Sequence, residues 1–231
     1  MRLPTGGARS IDRLHRGELS VVAAGLFAIV GVLALRVHGT GLPLRVDRFA
    51  VDLVGEARHS ERVTIDLQSL LSTGFLRPFT SRATATVGIA LSIGLAVVAW
   101  RKRDRWAALV SIAAPTLAVA LIDLLAKPLI DRRRGLALAF PSGHAAAAAA
   151  AAMLVLVLLN RWYGWRCAVR WSPAVALFPL MVGTLLIRLD WHYPTDVVGG
   201  IFFGCAFVVA LAAAIPAPGA RAGGGDLSAR R

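Results

Sequence analysis

The sequence is short of acidic residues, cysteines and polar linkers, and each shortage narrows the possible classes of protein. Only 13 of the 231 residues are Asp or Glu, against 26 Lys and Arg, and no group of carboxylates is dense enough to suggest a magnesium site. The two cysteines, Cys167 and Cys205, fall in a predicted loop and a predicted membrane span, so a disulfide between them is not expected. Because no polar linker divides the chain, we expect one domain.

Apolar residues are abundant instead: they make up 57% of the chain, and the mean hydropathy is +0.65. A soluble domain usually has roughly 45–50% apolar residues. The excess is gathered in runs of about 17–22 residues, close to the ~20 that cross a bilayer. The sequence therefore predicts an all-α polytopic membrane protein, a bundle of six transmembrane helices at roughly 19–35, 84–100, 106–126, 143–160, 172–188 and 196–215. The tryptophans flank these runs, as interfacial indoles do: Trp100, Trp106, Trp162, Trp165, Trp171 and Trp191.

The net charge of +13 would suit a nucleic-acid ligand, but its distribution favours a membrane topology. Fourteen of the Lys and Arg residues lie in four segments that share one side if six spans alternate: the N-terminal segment, 101–105, 161–170 and the C-terminal tail. The positive-inside rule then places both termini in the cytoplasm of a cell-membrane protein. We expect the membrane as a partner and no nucleic acid, and the sequence leaves the oligomeric state open.

The predicted organisation is a cytoplasmic segment 1–18, a six-span domain 19–215 and a disordered cytoplasmic tail 216–231. Residues 38–82 form the one long connection, on the outer side. Apolar residues recur there at helical spacing and predict an amphipathic surface helix: Val46, Phe49, Ala50, Leu53 and Val54. A role as a lid or packing element is favoured over a direct catalytic role.

A Pro-Ser-Gly-His sequence at 141–144 directly precedes an apolar run. Ser142 is a natural N-cap for the helix that follows. The start of a helix presents unpaired N–H groups and a partial positive charge, which together attract an anion. Gly143 lets the backbone approach a ligand closely, and His144 falls in the first turn, beside any bound anion.

A second histidine, His192, is followed four residues later by Asp196. A carboxylate at that spacing can accept the proton of one ring nitrogen and leave the other nitrogen as a nucleophile, as in catalytic triads. Pro194 suits the first position of the sixth helix. Asp196 could also be a simple charge at the start of that helix.

Cations gather at the end of the third span, where Lys127 is followed by three arginines at 132–134. Several cations beside an oriented histidine are what a phosphoryl transition state requires. Lys127 could instead only snorkel to the interface, and Asp123, one turn earlier, is expected to pair with it. Arg132 and Arg133 are expected to contact lipid headgroups.

Together, Lys127-x6-Arg134, Pro141-Ser142-Gly143-His144 and His192-x3-Asp196 resemble the three signatures of the type 2 phosphatidic acid phosphatase family. That family includes vanadium-dependent haloperoxidases and bacterial undecaprenyl-diphosphate phosphatases. The resemblance implies that His192 is the nucleophile that forms a phosphohistidine, that Asp196 orients it, and that His144 protonates the leaving oxygen and later activates water. It also implies four groups that hold the phosphoryl oxygens: Lys127, Arg134, Ser142 and the N–H of Gly143.

Two positions depart from the family pattern. Gly135 stands where family members usually have proline, which should loosen that loop. The family's arginine six residues before the histidine is Leu186 here, and Arg188 lies only four residues before it. Two residues rotate a helix by about 200°, so Arg188 can reach the phosphate only if the helix has ended before it. Arg188 is kept as a candidate phosphate ligand.

The resemblance implies a metal-independent enzyme without a cofactor, an integral-membrane phosphatase that hydrolyses the terminal phosphate of a lipid phosphate or polyprenyl diphosphate. The site is expected on the extracytoplasmic face, at headgroup depth. Two alternatives stay open: a phosphotransferase that passes the group to an acceptor other than water, and an inactive lipid-phosphate binder or transporter.

Overall fold

The structure, a computed structural model, describes residues 6–59 and 76–214, with side chains in 17–52 and 88–214. Its helices are α1 (Gly6–Val37), α2 (Arg45–His59), α3 (Leu76–Arg101), α4 (Arg105–Leu121), α5 (Lys127–Ile130), α6 (Gly143–Tyr163), α7 (Trp165–Arg188) and α8 (Pro194–Ala214). A π-helical turn, Ile122–Ala126, joins α4 to α5. A short antiparallel hairpin follows α5, with strands β1 (Arg133–Arg134) and β2 (Ala137–Leu138). The predicted tail 216–231 lies outside the described residues.

The predicted spans are found as helices. Five segments are long and apolar enough to cross a bilayer: Gly17–Val37, Arg105–Ile130, Gly143–Tyr163, Trp165–Arg188 and Pro194–Ala214. The remaining predicted span, 84–100, lies in α3, which has 26 residues; among the residues whose side chains are described, its apolar stretch is Gly88–Arg101. The protein is therefore an all-α, multi-pass membrane protein. The largest difference is α1, which begins at Gly6 although the span was predicted from residue 19, because helical hydrogen bonding continues past the end of the hydrophobic stretch.

Helix α6 lies at the centre of the bundle and packs against α4, α7 and α8, and α8 also packs on α1. The alanine run at 145–152 occupies the middle of these contacts, with Ala145, Ala149 and Ala151 fully buried. The facing glycines of α8 are equally tight: a Cβ added at Gly204 would lie 2.2 Å from the carbonyl oxygen of Ala146. The centre of the bundle is therefore a close approach of two backbones, as expected where small residues face each other in lipid.

An ion pair lies at the end of the bundle where α3 meets α4 and where α6 terminates. Asp104 caps the start of α4, and its carboxylate accepts a hydrogen bond from Arg161 Nε at 2.6 Å. Burial on its own would raise the pKa of Asp104, but hydrogen bonds from Arg161 and the helix start hold it below its ordinary value. Lys102 lies 5.2 Å from the centre of the Trp162 ring. The predicted basic loops 101–105 and 161–170 thus adjoin one another at this end.

Candidate active site

The three motif stretches meet at the opposite end of the bundle. The connection after α1 reaches the end of α5, where the Gly39 N–H donates to the Ile130 carbonyl at 3.0 Å. The second motif is tied to the third by a 2.9 Å hydrogen bond from the Ser142 N–H to the Asp196 carbonyl. Residues that are distant in the sequence are therefore held together by backbone contacts.

The first motif ends in the β1–β2 hairpin, whose turn begins with Gly135. This residue has φ 59°, a left-handed conformation that suits glycine at the first position of a two-residue turn. Proline is fixed near φ −65° and cannot adopt it. The expectation of a loosened loop therefore does not describe the structure: glycine closes a tight turn that the family's proline would prevent.

The second motif has the geometry predicted for it. Ser142 is the N-cap of α6, it is fully buried, and its hydroxyl accepts from the Ala145 N–H at 3.4 Å. Gly143 is the first helical residue and His144 the second. An anion at this helix start would meet free N–H groups next to the imidazole.

Helix α8 presses closely against this helix start. A Cβ added at Gly200 would lie 2.4 Å from the Ser142 carbonyl oxygen, and one at Gly199 would lie 2.4 Å from the Phe140 ring. Since real Cβ atoms do not approach backbone so closely, only glycine permits this spacing. The distance between the second and third motifs is thus set by two glycines of α8.

The third motif places His192 just before α8, which begins at Pro194 as predicted, with Asp196 in its first turn. His192 Nδ1 lies 3.8 Å from Asp196 Oδ2, with 12% of the His192 side chain exposed and Asp196 fully buried. The two groups face each other but are too far apart for a hydrogen bond, and Asp196 Oδ2 accepts from the Tyr193 N–H at 3.0 Å instead. Catalytic hydrogen bonds are often this long before substrate binds.

Arg132 departs most from the sequence-based expectation. Its side chain is fully buried and donates from Nη2 to Asp47 at 2.8 Å, so the prediction of a headgroup contact is wrong. Its Nη1 lies 2.8 Å from Asp196 Oδ1, an ion pair by distance that lacks hydrogen-bond geometry. Asp47 belongs to α2 and is also fully buried. Sequence reasoning missed Asp47 because it lies 85 residues from its partner.

Lys127 pairs with Asp123 at 2.7 Å, as predicted, and both adjoin His144 in a cavity of about 500 Å³. The cavity lies between α3, α4, α6 and α7, and its lining away from the charged end is apolar or small: Gly88, Ile89, Ser92, Ile93, Ile112, Pro115, Thr116, Val119, Ala147, Ala148 and Phe178. His144 also interacts electrostatically with His192. One end of an apolar cavity therefore adjoins His144 and Lys127.

The two candidate arginines lie in different surroundings. Arg134 forms an ion pair with Asp190, and its guanidinium lies 4.2 Å from the centre of the Tyr193 ring, next to His192. Helix α7 stays regular through Arg188, which is exposed. Leu186, at the place of the family's arginine, is buried in the core. Leu186 and Arg188 therefore point in directions about 200° apart around the axis of α7.

Comparison with known proteins agrees with this arrangement. Residues 126–219 match the model of the PAP2 superfamily, and no curated protein matches the sequence significantly. The chain is similar in fold to a crystal structure described as the first transmembrane PAP2-type phosphatidylglycerolphosphate phosphatase from Bacillus subtilis. The TM-score is 0.52 at 20% sequence identity, over 82% of this chain and 93% of the other. The matched region begins just before Lys127 and spans all three motifs.

Proposed function

We propose that the protein is an integral-membrane lipid phosphate phosphatase that works through a phosphohistidine on His192, because residues 126–219, which carry the three motifs, match the model of the PAP2 superfamily. The substrate would be a lipid phosphate or a polyprenyl diphosphate with a terminal phosphate. The proposal extends the family assignment to a particular nucleophile and a particular substrate class.

The cavity beside His144 and Lys127 is the observation that carries the lipid assignment. A phosphate at the charged end would leave its apolar substituent in a space lined by Ile, Val, Pro, Ala and Phe side chains. The chain of a membrane lipid is already in hydrocarbon, and it can enter an apolar lining without being transferred to water. A soluble phosphate ester would gain nothing from this lining. The solved structure of similar fold bears the name of a phosphatidylglycerolphosphate phosphatase, which is also a lipid phosphatase.

The proposed reaction has two steps. His192 attacks phosphorus with Nε2 while its Nδ1 proton faces Asp196, and the P–O bond to the leaving group breaks as His144 donates a proton to that oxygen. Neutral His144 then takes a proton from water as the water oxygen attacks phosphorus, which breaks the P–N bond and releases inorganic phosphate. Four groups would hold the phosphoryl oxygens in both steps: Lys127, Arg134, Ser142 and the N–H of Gly143.

A purified-protein assay tests this proposal and its rivals. Phosphate release is measured from phosphatidic acid, phosphatidylglycerol phosphate and a polyprenyl diphosphate, with and without EDTA. We expect turnover that EDTA does not reduce, none in His192→Ala, and label trapped on histidine after acid quenching. Transfer of the phosphoryl group to an added alcohol, with no inorganic phosphate released, would favour the phosphotransferase. Binding of these lipids without turnover would favour the inactive binder.

Ala147→Phe tests the cavity itself, since a phenyl ring would fill part of the space next to His144. Hydrolysis of a long-chain lipid phosphate should fall at least tenfold in kcat/KM, about 1.4 kcal/mol, while a short soluble phosphate ester should be hydrolysed at the parent rate. Leu109→Phe is the control, because Leu109 is exposed on α4. Equal losses on both substrates in Ala147→Phe would contradict the chain-binding assignment.

The sidedness follows from the charge distribution, and we propose cytoplasmic termini with the site on the extracytoplasmic face. The motif end of the bundle carries paired charges such as Arg134–Asp190 and Asp131–Arg133. The end with Asp104 and Arg161 adjoins the basic loops, which the rule places inside. A substrate headgroup would then enter from the outer leaflet.

A further inference from the structure

A buried cluster of three charged side chains lies behind His192: Asp47 of α2, Arg132, and Asp196 of α8. All three are fully buried. We propose that Asp47 and Arg132 are positioning residues that set the orientation and the effective charge of Asp196. Through them, α2 would be part of the active site and not only a surface helix. This inference rests on the proposed function, because it assigns a role in the reaction of His192.

The orientation argument starts from the two oxygens of Asp196. Oδ2 faces His192 and accepts a hydrogen bond from the Tyr193 N–H. This contact from the first turn back to the start of the helix is like that of a capping box. Oδ1 faces Arg132 Nη1 at 2.8 Å. Because the carboxylate is held on both oxygens by different partners, its plane cannot turn, and Oδ2 stays directed at the imidazole. Loss of the guanidinium would free one side of the carboxylate.

The charge argument concerns what Arg132 would do without Asp47. A lone guanidinium at 2.8 Å would largely neutralise Asp196, since interactions between charges are strong where water is excluded. Asp47 Oδ2 accepts from the other terminal nitrogen, Nη2, at the same distance. The cluster thus carries one net negative charge, and Asp196 keeps enough of it to stabilise a positive charge that develops on His192.

Asp47 is itself fixed by backbone donors from two segments. Its Oδ2 accepts from the Leu44 N–H just before α2, and its Oδ1 accepts from the Thr195 N–H in the first turn of α8, both at 2.9 Å. The Thr195 hydroxyl joins the same cluster, 2.5 Å from Arg132 Nη1. A carboxylate of α2 therefore supplies a cap to the helix that carries Asp196, and any displacement of α2 would reach the His192 partner directly.

A purely structural role predicts something different. If the cluster only anchored α2, its loss would lower stability and leave the chemistry of correctly folded protein unchanged, like the loss of any buried ion pair. The Asp104–Arg161 pair at the other end of the bundle provides that control: its side chains are 13% and 15% exposed, and it is far from the motifs. Asp104→Asn removes a charge in the same chemical way as Asp47→Asn.

The experiment measures kcat, KM and the thermal midpoint in detergent for the full-length parent, Asp47→Asn, Arg132→Lys, Arg132→Gln and Asp104→Asn. Each protein is assayed at the same interval below its own midpoint. We expect Asp47→Asn to lower kcat about tenfold or more with KM within about threefold, which is 1.4 kcal/mol lost from the transition state alone. Arg132→Lys keeps the charge and should retain more activity than Arg132→Gln. Asp104→Asn should lose stability and keep kcat.

If Asp47→Asn and Arg132→Gln keep the kcat of the parent and their midpoints fall as in Asp104→Asn, the cluster only anchors α2. That result would overturn the inference. If Asp47→Asn does not fold, Arg132→Gln decides, and a kcat equal to that of the parent would overturn the inference as well. The His192→Ala variant separates the test of the proposed function from the test of the buried cluster. An active parent and an inactive His192→Ala establish the proposed function whatever the cluster variants show, whereas an inactive parent would remove both proposals.

Discussion

A single methyl group at Gly200 should separate the two halves of the site. Its Cβ would lie 2.4 Å from the Ser142 carbonyl oxygen and 3.2 Å from the Ala146 nitrogen, both backbone atoms that no rotamer change can move away. Ordinary contact begins at 3.4 Å, so α6 and α8 must part by about 1 Å close to the two histidines proposed to act on the substrate. A misplacement of that size can cost about 100-fold in rate.

The assay compares Gly200→Ala with two other glycine variants, by steady-state phosphate release from phosphatidic acid in mixed micelles and by thermal midpoint. Gly200→Ala should lose about 100-fold in kcat/KM and about 1–3 kcal/mol of stability. Gly204→Ala meets the Ala146 carbonyl one turn deeper, and should lose comparable stability with less effect on rate. Gly94→Ala meets open space and should be neutral or slightly stabilising. Activity of Gly200→Ala within about threefold of the parent would refute the view that this helix spacing sets the catalytic geometry.

Three further predictions concern the arginines, the topology and the far end of the bundle. Because α7 stays helical through Arg188, Arg188→Ala should keep kcat/KM within about threefold while Arg134→Ala loses more than tenfold; equal losses would return Arg188 to the phosphate site. In a background without Cys167 and Cys205, a cysteine at Gly135 should react with an impermeant thiol reagent from outside intact cells, and one at Gly164 should not. The reverse labelling pattern would invert the topology. The lowered pKa of Asp104 means that its contribution to stability is present above its unfolded pKa and is lost as the pH falls through the folded value. The thermal midpoint should therefore fall less between pH 5 and pH 3 in Asp104→Asn than in the parent, and an unchanged slope would show that this carboxylate contributes nothing.

The sequence predicted those features that short-range physics determines. Hydrophobic length located the membrane helices, since a run of apolar residues must be helical to satisfy its backbone in lipid. The N-cap at Ser142 and the start of α8 at Pro194 depend on neighbouring residues only, and both are found as predicted. The Asp123–Lys127 pair, four residues apart on one helix, was predicted for the same reason. The roles assigned to the site residues stay predictions until the kinetics are measured.

The buried cluster was beyond prediction because nothing local distinguishes its members. Arg132 is one of three consecutive arginines, and the sequence does not indicate which of them turns inward. The hairpin determines which arginine is buried. Arg133 is exposed, whereas Arg132, just before β1, points into the interior. In the sequence, Asp47 lies next to the apolar positions of α2, and this pattern favours a carboxylate on the solvated face of that helix. Only the packing of α2 on α8 shows that this carboxylate faces inward.

The alanine and glycine centre of the bundle reverses the usual pattern of mutational tolerance. In a water-soluble domain, large core side chains tolerate little truncation, because each lost methylene leaves a cavity. Here Ala146 and Ala150 are fully buried and have almost nothing to remove, and a Cβ added at Gly204 would meet the backbone of both. Many large residues are on the outside, where Leu109, Leu117 and Leu180 are exposed to the surroundings of the bundle and any apolar side chain would serve. A scan of all substitutions should therefore show a centre that rejects growth and a periphery that accepts almost any hydrophobic residue.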